Sequence, residues 1–310
     1  MALTGQTQAV LDVLEQLGGP ALHEMEVDEA RAMLAAMPKG PAPEVGQVTD
    51  VTVPGPDGNG IPARVYRPEG EGPFPVLCYF HGGGWVLGSA EESDATTRRL
   101  CTLADCIVIS PDYRLAPEHP FPAAAEDCYA VTRWAADQST AFGGDPARLA
   151  VSGGSAGGNL AAVVALMARD RSGPDICFQF LEYPVIAADL DTASYRANAD
   201  GYLLSRDGMA WFWDHYVPDA DQRRDPLVAP LEAESLAGLP PALVITAEFD
   251  PLRDEGEAYG AALESAGVPT TVTRYDGVIH GFFGMHGMID EADTAQREVA
   301  AALQAAFGTA

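Results

Sequence analysis

Short apolar runs alternate with segments of helix length from residue 75 onwards, and this alternation constrains the fold more than any other feature of the chain. Runs such as 76–80 (VLCYF) and 243–246 (LVIT) contain no charged side chain. A strand needs such a composition when helices cover both of its faces, so the pattern predicts an α/β fold with a mostly parallel sheet. Strands are predicted at 75–80, 106–110, 149–152, 177–183, 242–246 and 270–275, and helices at 91–104, 122–137, 156–170, 253–266 and 291–306.

The chain before residue 75 has a different texture. Helical spacing of apolar residues and alternation of apolar and polar residues predict helices at 7–17 and 27–37 and an antiparallel strand pair at 48–53 and 61–66. The Pro-rich run 38–43 (PKGPAP) is interpreted as a connector. Later, the aromatic-rich segment 186–216 interrupts the alternation. We expect this insertion and the first 45 residues to cover the carboxyl edge of the sheet, where α/β folds place ligands.

The charge balance limits the classes of partner. Acidic residues outnumber basic ones by 45 to 18, which gives a net charge of −27. Such a surface repels nucleic acid and anionic membranes, because both are bound through clustered lysine and arginine. Two interpretations stay open for the acidity itself: it maintains solubility, or it marks a protein adapted to high salt.

The remaining composition indicates a reduced, cytoplasmic protein without a metal. The N-terminus lacks the pattern of a secretory signal, and the longest apolar run is too short to span a membrane. No pair of cysteines has the C-x-x-C spacing, and no Cys/His pattern has the spacing of zinc ligands. The odd number of cysteines argues against a disulfide framework; they are Cys78, Cys101, Cys106, Cys128 and Cys177.

The stretch 151–160 (VSGGSAGGNL) contains the pattern G-x-S-x-G at residues 153–157. A predicted strand precedes it and a predicted helix follows, so the pattern indicates a sharp elbow that presents Ser155 as a nucleophile at a helix N-terminus. A flexible linker is disfavoured because both flanks are apolar. A phosphate-binding loop is the stronger alternative, but no lysine follows as in a Walker loop.

A second glycine-rich stretch, 81–85 (HGGGW), also follows a predicted strand. The backbone N–H groups of Gly82 and Gly83, together with that of Ala156, are predicted to form an oxyanion hole for a tetrahedral acyl intermediate. The alternative is a tight turn without a catalytic role. His81 is interpreted as a residue that braces the loop rather than as a base.

A nucleophilic serine needs an acid and a base, and the order serine, acid, histidine is typical of α/β-hydrolases. Asp250 directly follows a late strand and is the predicted acid; its rivals are Glu248, Asp254 and Glu255. His280 follows the last predicted strand and is the predicted base, with His286 as the runner-up.

Taken together, five motifs resemble the hormone-sensitive-lipase family of α/β-hydrolases, also called bacterial esterase family IV. The resemblance covers nearly the whole chain after residue 45, and its motifs occur in the family's order. The motifs are 81–85 (HGGGW), 112–122 (DYRLAPEHPFP), 154–160 (GSAGGNL), 250–256 (DPLRDEG) and 280–282 (HGF).

The resemblance implies a carboxylesterase that uses no cofactor and acts on short-to-medium acyl esters through Ser155, Asp250 and His280. It also implies N-terminal cap helices over residues 1–45 and a hydrolase domain over 46–310 with a cap insertion at about 186–216. A homodimer is compatible with the family. Five residues are candidates either for the substrate pocket or for packing within the cap: Trp85, Tyr202, Leu203, Trp211 and Phe212.

The chain departs from the family at one position. The residue before the nucleophile is commonly Asp, and here it is Gly154, which leaves the elbow without a side chain at that point. Two alternative functions remain at this stage. The same three residues would also serve a hydrolase of amides, lactones or carbamates. A non-catalytic small-molecule receptor on this scaffold is disfavoured, because receptor relatives lack the histidine that stands here at His280.

Overall fold

The computed structural model describes residues 2–37 and 40–309. Within them, eight strands form one sheet in the order β1-β2-β4-β3-β5-β6-β7-β8. The strands are β1 (Gln47–Pro54), β2 (Gly60–Arg67), β3 (Phe74–Phe80), β4 (Ile107–Pro111), β5 (Gly144–Gly154), β6 (Phe178–Glu182), β7 (Ala242–Phe249) and β8 (Thr270–Ile279).

The sheet is parallel from β4 to β8 and antiparallel only at its leading edge. β1 pairs with β2, and β2 pairs with β4, in antiparallel register. All other neighbours are parallel. Every residue of β3, β4 and β6 is buried, as expected for strands covered on both faces. The prediction of an α/β fold with a mostly parallel sheet is therefore confirmed, as is the antiparallel hairpin at its start.

Helices cover both faces of this sheet. The predicted helices are all present, with ends shifted by a few residues. They are α1 (Gly5–Leu17), α2 (Val27–Ala35), α3 (Asp94–Ala104), α4 (Ala123–Gln138), α5 (Ala156–Asp170), α6 (Ala193–Ala197), α7 (Arg206–Tyr216), α8 (Arg253–Ser265) and α9 (Asp290–Phe307). The first thirteen residues of α5 are all buried, so this helix lies at the centre of the molecule.

Three strands are longer than predicted, and their extra residues carry the chain to the site described below. β5 begins at Gly144 rather than at 149 and continues to Gly154. β7 continues to Phe249 rather than to 246, and β8 continues to Ile279 rather than to 275. Their polar and glycine residues gave no strand signal, because the pairing with neighbouring strands and not the local composition extends them.

The N-terminal helices and the 186–216 segment lie over the carboxyl edge of the sheet. The Arg31 side chain of α2 donates to the carbonyl oxygens of Val86 and Ala116, both at 2.9 Å, and so ties α2 to the loops beyond β3 and β4. Phe121 donates its N–H to the Tyr216 carbonyl oxygen at the end of α7, at 2.9 Å. The proposed boundaries at 45 and 46 stay predictions. Of the predicted 38–43 connector, residues 38 and 39 lie outside the described part of the chain.

No helix in residues 2–37 and 40–309 combines the length and the apolar composition that a membrane span requires.

Candidate active site

Three parallel strands end at the same edge of the sheet, and each is followed at once by a polar residue. Ser155 follows β5, Asp250 follows β7 and His280 follows β8. The carboxyl ends of parallel strands meet at one edge, so residues that are far apart in the chain come together here. The predicted nucleophile, acid and base all occupy this edge.

The backbone at Ser155 has a φ of 58° and a ψ of −117°, a conformation that costs a non-glycine residue about 1–3 kcal/mol. The close approach of the surrounding chain requires glycine on the C-terminal side of the serine. A Cβ atom at Gly157 would collide with the carbonyl oxygen of Phe80. The Ser155 N–H donates to the Glu182 carbonyl oxygen at 2.9 Å, and this bond holds the elbow against the end of β6.

A continuous chain of hydrogen bonds joins the three side chains. The distance from Ser155 Oγ to His280 Nε2 is 3.0 Å, and that from His280 Nδ1 to Asp250 Oδ2 is 2.7 Å. An ionised carboxylate only accepts hydrogen bonds, so we assign the imidazole proton to Nδ1. Nε2 is then free to accept the proton of the serine hydroxyl. This is the geometry in which a histidine activates a serine.

Burial and a backbone hydrogen bond hold Asp250, the acidic member of these three residues, in a fixed position. Asp250 is fully buried, whereas Ser155 and His280 each keep 9% of their surface exposed. The second carboxylate oxygen of Asp250 accepts the Leu252 N–H at 2.9 Å. Asp250 therefore has both oxygens engaged and cannot rotate away from His280, and the exposed fraction remains with the two residues that a substrate must reach.

The rival candidates are engaged elsewhere. Asp254 forms an ion pair with Arg253 and accepts the Ser194 N–H at 2.7 Å. Glu255 accepts the Ile186 N–H at 2.7 Å. His286 bonds through Nε2 to the Pro41 carbonyl oxygen at 3.0 Å. Of the predicted acids and bases, Asp250 and His280 are the pair that the fold joins to Ser155.

The glycine-rich loop after β3 runs beside Ser155. A Cβ atom at Gly82 would lie 3.7 Å from the Cβ atom of Ser155. The turn and loop hydrogen bonds among the described residues use none of the Gly82, Gly83 and Ala156 N–H groups as donors. Ala156 is also the first residue of α5, where N–H groups lack helical partners. These three N–H groups are thus available to an anionic oxygen near the serine.

His81 braces this loop from behind. Its ring stacks on Tyr113 at 4.2 Å, and its Nδ1 lies 2.8 Å from the Gly82 carbonyl oxygen. The Tyr113 hydroxyl donates to the His81 carbonyl oxygen at 2.8 Å. Burial lowers the pKa of His81, which keeps its imidazole neutral. Tyr113 belongs to the DYRLAP motif and was not predicted as a site residue, although it supports the loop directly.

A cavity of about 380 Å³ opens above Ser155 and His280. Its wall includes two of the five pocket candidates, Leu203 and Phe212. The other three candidates, Trp85, Trp211 and Tyr202, pack against neighbouring side chains and do not line this cavity. Trp85 is fully buried and stacks on Tyr216 at 4.3 Å; Trp211 packs edge-on against Phe212 at 5.3 Å. Tyr202 packs against Phe249 and faces the neighbouring groove between α1 and α2.

Most of the cavity wall was not predicted from the sequence. α2 and the residues around it provide Leu22, Met33, Leu34 and Met37, and the sheet edge provides Tyr79, Glu182 and Tyr183. The apolar face of α2 carried no signal that separates a cavity wall from ordinary packing. Glu182 did carry one, because it is the charged residue at the end of the otherwise uncharged strand 178–182 (FQFLE).

The chain is similar to several known proteins. Residues 77–284 match a family model described as the alpha/beta hydrolase fold. The chain is 46% identical over 281 residues to the carboxylic ester hydrolase LipN of Mycobacterium tuberculosis, covering 89% of this chain and 74% of LipN. It is 37% identical to the ethyl acetate hydrolase of Pseudomonas putida, covering 98% of this chain and 99% of that protein.

A solved structure is similar over almost the whole chain. It is an alpha/beta hydrolase enzyme from the metagenome of Lake Arreo, Spain, with a TM-score of 0.94 and 43% identity, and the match covers 99% of each chain.

Proposed function

The chain belongs to the hormone-sensitive-lipase family of α/β-hydrolases and is a serine ester hydrolase, and we propose that it hydrolyses short-to-medium acyl esters with Ser155, His280 and Asp250 as its catalytic triad. The hydrogen-bond chain from Ser155 Oγ through His280 to Asp250 carries this proposal. The three free N–H groups beside the serine and the adjoining cavity support it further.

In the acylation half, Ser155 Oγ attacks the carbonyl carbon of the ester while His280 Nε2 takes the hydroxyl proton. The carbonyl oxygen becomes an oxyanion, which accepts hydrogen bonds from the N–H groups of Gly82, Gly83 and Ala156. Asp250 holds the imidazole in place and stabilises its positive charge. When the tetrahedral intermediate collapses, the C–O bond to the alcohol breaks, and the alcohol leaves with the proton from His280.

In the deacylation half, a water molecule gives a proton to His280 Nε2 and attacks the carbonyl carbon of the acyl-serine. The same N–H groups stabilise the second oxyanion. Its collapse breaks the bond to Ser155 Oγ, which regains the proton from His280, and the carboxylic acid leaves.

The size and lining of the cavity support the proposed substrate class. A volume of about 380 Å³ lies at the lower end of the range for small-molecule pockets. Its wall is largely apolar, with Leu34, Leu87, Leu204 and Phe212 facing the site. Short and medium acyl chains fit this space. A relative named for ethyl acetate, a short-chain ester, agrees with that assignment.

A series of p-nitrophenyl esters from C2 to C12, assayed with wild type and Ser155→Ala, tests the proposal. We expect kcat/KM to be highest for short and medium chains and to fall for the longest. Ser155→Ala should lower kcat by about 10⁴-fold or more, because it removes the nucleophile. A kcat within tenfold of wild type in this variant would contradict the assignment of Ser155 as the nucleophile.

The same triad chemistry would attack amides, lactones and carbamates, so a matched panel completes the test. We expect p-nitrophenyl butyrate to be turned over far faster than the corresponding butyranilide, since amides have the poorer leaving group. A higher kcat/KM for the anilide, a lactone or a carbamate than for every ester would replace the proposed substrate class while leaving the triad in place.

A further inference from the structure

Glu182 is a buried carboxyl group in the cavity wall that the acyl-transfer mechanism does not use. It is the last residue of β6 and is only 1% exposed. It lines the same cavity as Ser155 and His280. Its Oε1 atom has no hydrogen-bond partner among residues 2–37 and 40–309. A buried oxygen without a partner costs free energy, and a group that donates to it recovers that cost.

The space for this carboxyl group exists because residue 154 is glycine. Gly154 and Glu182 are register partners on the neighbouring strands β5 and β6. A Cβ atom at Gly154 would lie 2.8 Å from Glu182 Oε2. Any side chain at position 154 would therefore compete with the carboxyl group for the same volume. The glycine before the nucleophile and the glutamate at the end of β6 form one structural unit.

Burial determines the protonation of this group. Desolvation raises the pKa of Glu182 from 4.5 to about 8, and hydrogen bonding with the Tyr79 and Tyr183 side chains lowers it only in part. Near pH 7 the carboxyl group is thus mostly protonated and both donates and accepts hydrogen bonds. In either protonation state at least one of its oxygens is an acceptor. A hydroxyl group, which also donates and accepts, suits both states.

Glu182 differs from the other charged and catalytic side chains of the cavity wall. Among the described residues that form the wall there is no lysine or arginine, so a substrate with an anionic substituent finds no counter-charge. The second acidic residue of the wall, Glu92, accepts a hydrogen bond from the Ser89 hydroxyl at 3.1 Å. His280 and Ser155 bond to each other. Of the two acidic residues of the wall, Glu182 is the buried one, and its Oε1 atom has no hydrogen-bond partner among the described residues.

We propose that Glu182 is a specificity-determining residue that favours esters carrying a hydroxyl group close to the scissile carbonyl. The inference rests on the proposed esterase function and adds a substrate class to it. The hydroxyl group donates to the unpartnered Glu182 oxygen in the enzyme–substrate complex and in the transition state. A plain alkyl ester of the same size fills the cavity but leaves that oxygen unpaired, and so it is the poorer substrate.

Two matched pairs of esters test the proposal, one for each side of the ester bond. The acyl pair is p-nitrophenyl 3-hydroxybutyrate and p-nitrophenyl 3-methylbutyrate, and the alcohol pair is 2-hydroxyethyl butyrate and propyl butyrate. The readout is the ratio of kcat/KM for the hydroxylated ester to that for its plain partner. We expect wild type to favour the hydroxylated ester by about tenfold in one of the two pairs, the discrimination typical of one buried hydrogen bond.

Variants then assign the preference to Glu182. Glu182→Leu should remove it, bringing the ratio to about one. Glu182→Gln, whose amide also donates and accepts, should retain most of it. Asp28→Asn alters an exposed carboxyl group outside the cavity wall and is the control, with the wild-type ratio expected. A thermal melt checks the fold of each variant; if Glu182→Leu does not fold, Glu182→Met takes its place.

The outcomes separate this inference from the proposed function. If wild type hydrolyses the plain esters but shows no preference in either pair, or if Glu182→Leu keeps the wild-type ratio, the role of Glu182 is overturned and the esterase assignment stands. If wild type hydrolyses none of the four esters, the proposed function itself fails.

Discussion

Ser155 combines a strained backbone with an ordinary set of hydrogen bonds, and its neighbours explain how the strain is held. Its N–H bonds to the end of β6, and its carbonyl oxygen accepts the Asn159 N–H at 3.0 Å and the Val185 N–H at 3.2 Å. Three backbone hydrogen bonds thus offset the cost of the elbow. The strain places the hydroxyl group outside the sheet edge, within reach of His280.

The Gly154–Glu182 contact leads to a prediction about stability. We expect Gly154→Ala to lower the free energy of unfolding by about 1–3 kcal/mol, because the new methyl group overpacks against the Glu182 carboxyl group. In a Glu182→Ala background the same change should cost less than about 0.5 kcal/mol. Urea unfolding of wild type, the two single variants and the double variant measures the coupling free energy between positions 154 and 182.

The matched control is Gly5→Ala, since a Cβ atom at Gly5 meets nothing within 4 Å. If Gly154→Ala lowers the free energy of unfolding equally in the wild-type and Glu182→Ala backgrounds, then the Glu182 side chain is not what makes glycine necessary at position 154.

The protonation of Glu182 leads to a second prediction at this scale. Because its pKa rises from 4.5 to about 8 on folding, the folded state holds more protons than the unfolded state between these values. The free energy of unfolding therefore falls as pH rises through this interval, by up to about 1.4 kcal/mol per pH unit. Glu182→Gln removes this contribution.

Thermal melts of wild type and Glu182→Gln from about pH 5 to about pH 9 measure this effect. We expect the variant to gain stability relative to wild type as pH rises, with the difference levelling off above about pH 8. Two parallel curves would mean that Glu182 does not hold its proton in the folded protein.

At the level of helices and strands, residues in local motifs could be predicted from the sequence, whereas residues brought to the site by helix docking could not. The meeting of Ser155, Asp250 and His280 at one edge of the sheet could be predicted from the sequence, because each lies in a motif that follows an apolar strand. The glycine pattern and the chain order carry that information locally. The cavity wall is different: Met33 and Met37 look like any apolar residues of an amphipathic helix, and only the docking of α2 brings them to the site. Long-range packing of this kind leaves no local signal.

Arg31 contributes several hydrogen bonds to the docking of α2. Besides its bonds to Val86 and Ala116, Arg31 forms a two-pronged pair with Glu118 at 2.7 and 2.8 Å. We expect Arg31→Gln to loosen α2 and to raise KM severalfold, because α2 provides part of the cavity wall. kcat should change less, since the triad lies on the sheet. Michaelis–Menten kinetics with p-nitrophenyl hexanoate measure both constants.

Asp28→Asn is the control for this variant, because the Asp28 side chain is 96% exposed and lies 3.9 Å from Arg31. Hydrogen exchange gives a direct view of the helix, and the amides of Val27–Ala35 should exchange faster in Arg31→Gln. Unchanged exchange together with an unchanged KM would show that other contacts suffice to dock α2.

For the whole molecule, the dominant feature is a net charge of −27. Charges of one sign repel one another in the compact state, and salt screens this repulsion over a distance that falls from about 10 Å at 0.1 M to about 3 Å at 1 M. We therefore expect the Tm to rise by several degrees between these NaCl concentrations. The rise should be smaller near pH 5, closer to the sequence pI of about 4.3.

A Tm that stays constant or falls with NaCl would contradict this expectation. It would mean that local ion pairs such as Arg114–Asp127, with their 2.8 Å contact, contribute more than the overall repulsion. It would also remove adaptation to high salt as an explanation of the acidic surface, and solubility would remain.

Covalent labelling tests whether Ser155 is the nucleophile of an esterase. A fluorophosphonate probe should add once to wild type, and peptide mass spectrometry should locate the adduct on Ser155. The rate of ester hydrolysis should fall in proportion to the fraction of protein labelled. His280→Ala should label far more slowly, because it lacks the base that lies 3.0 Å from the serine oxygen. A protein that hydrolyses p-nitrophenyl butyrate but carries the adduct on another residue, or carries none, would contradict the assignment of Ser155 as the nucleophile.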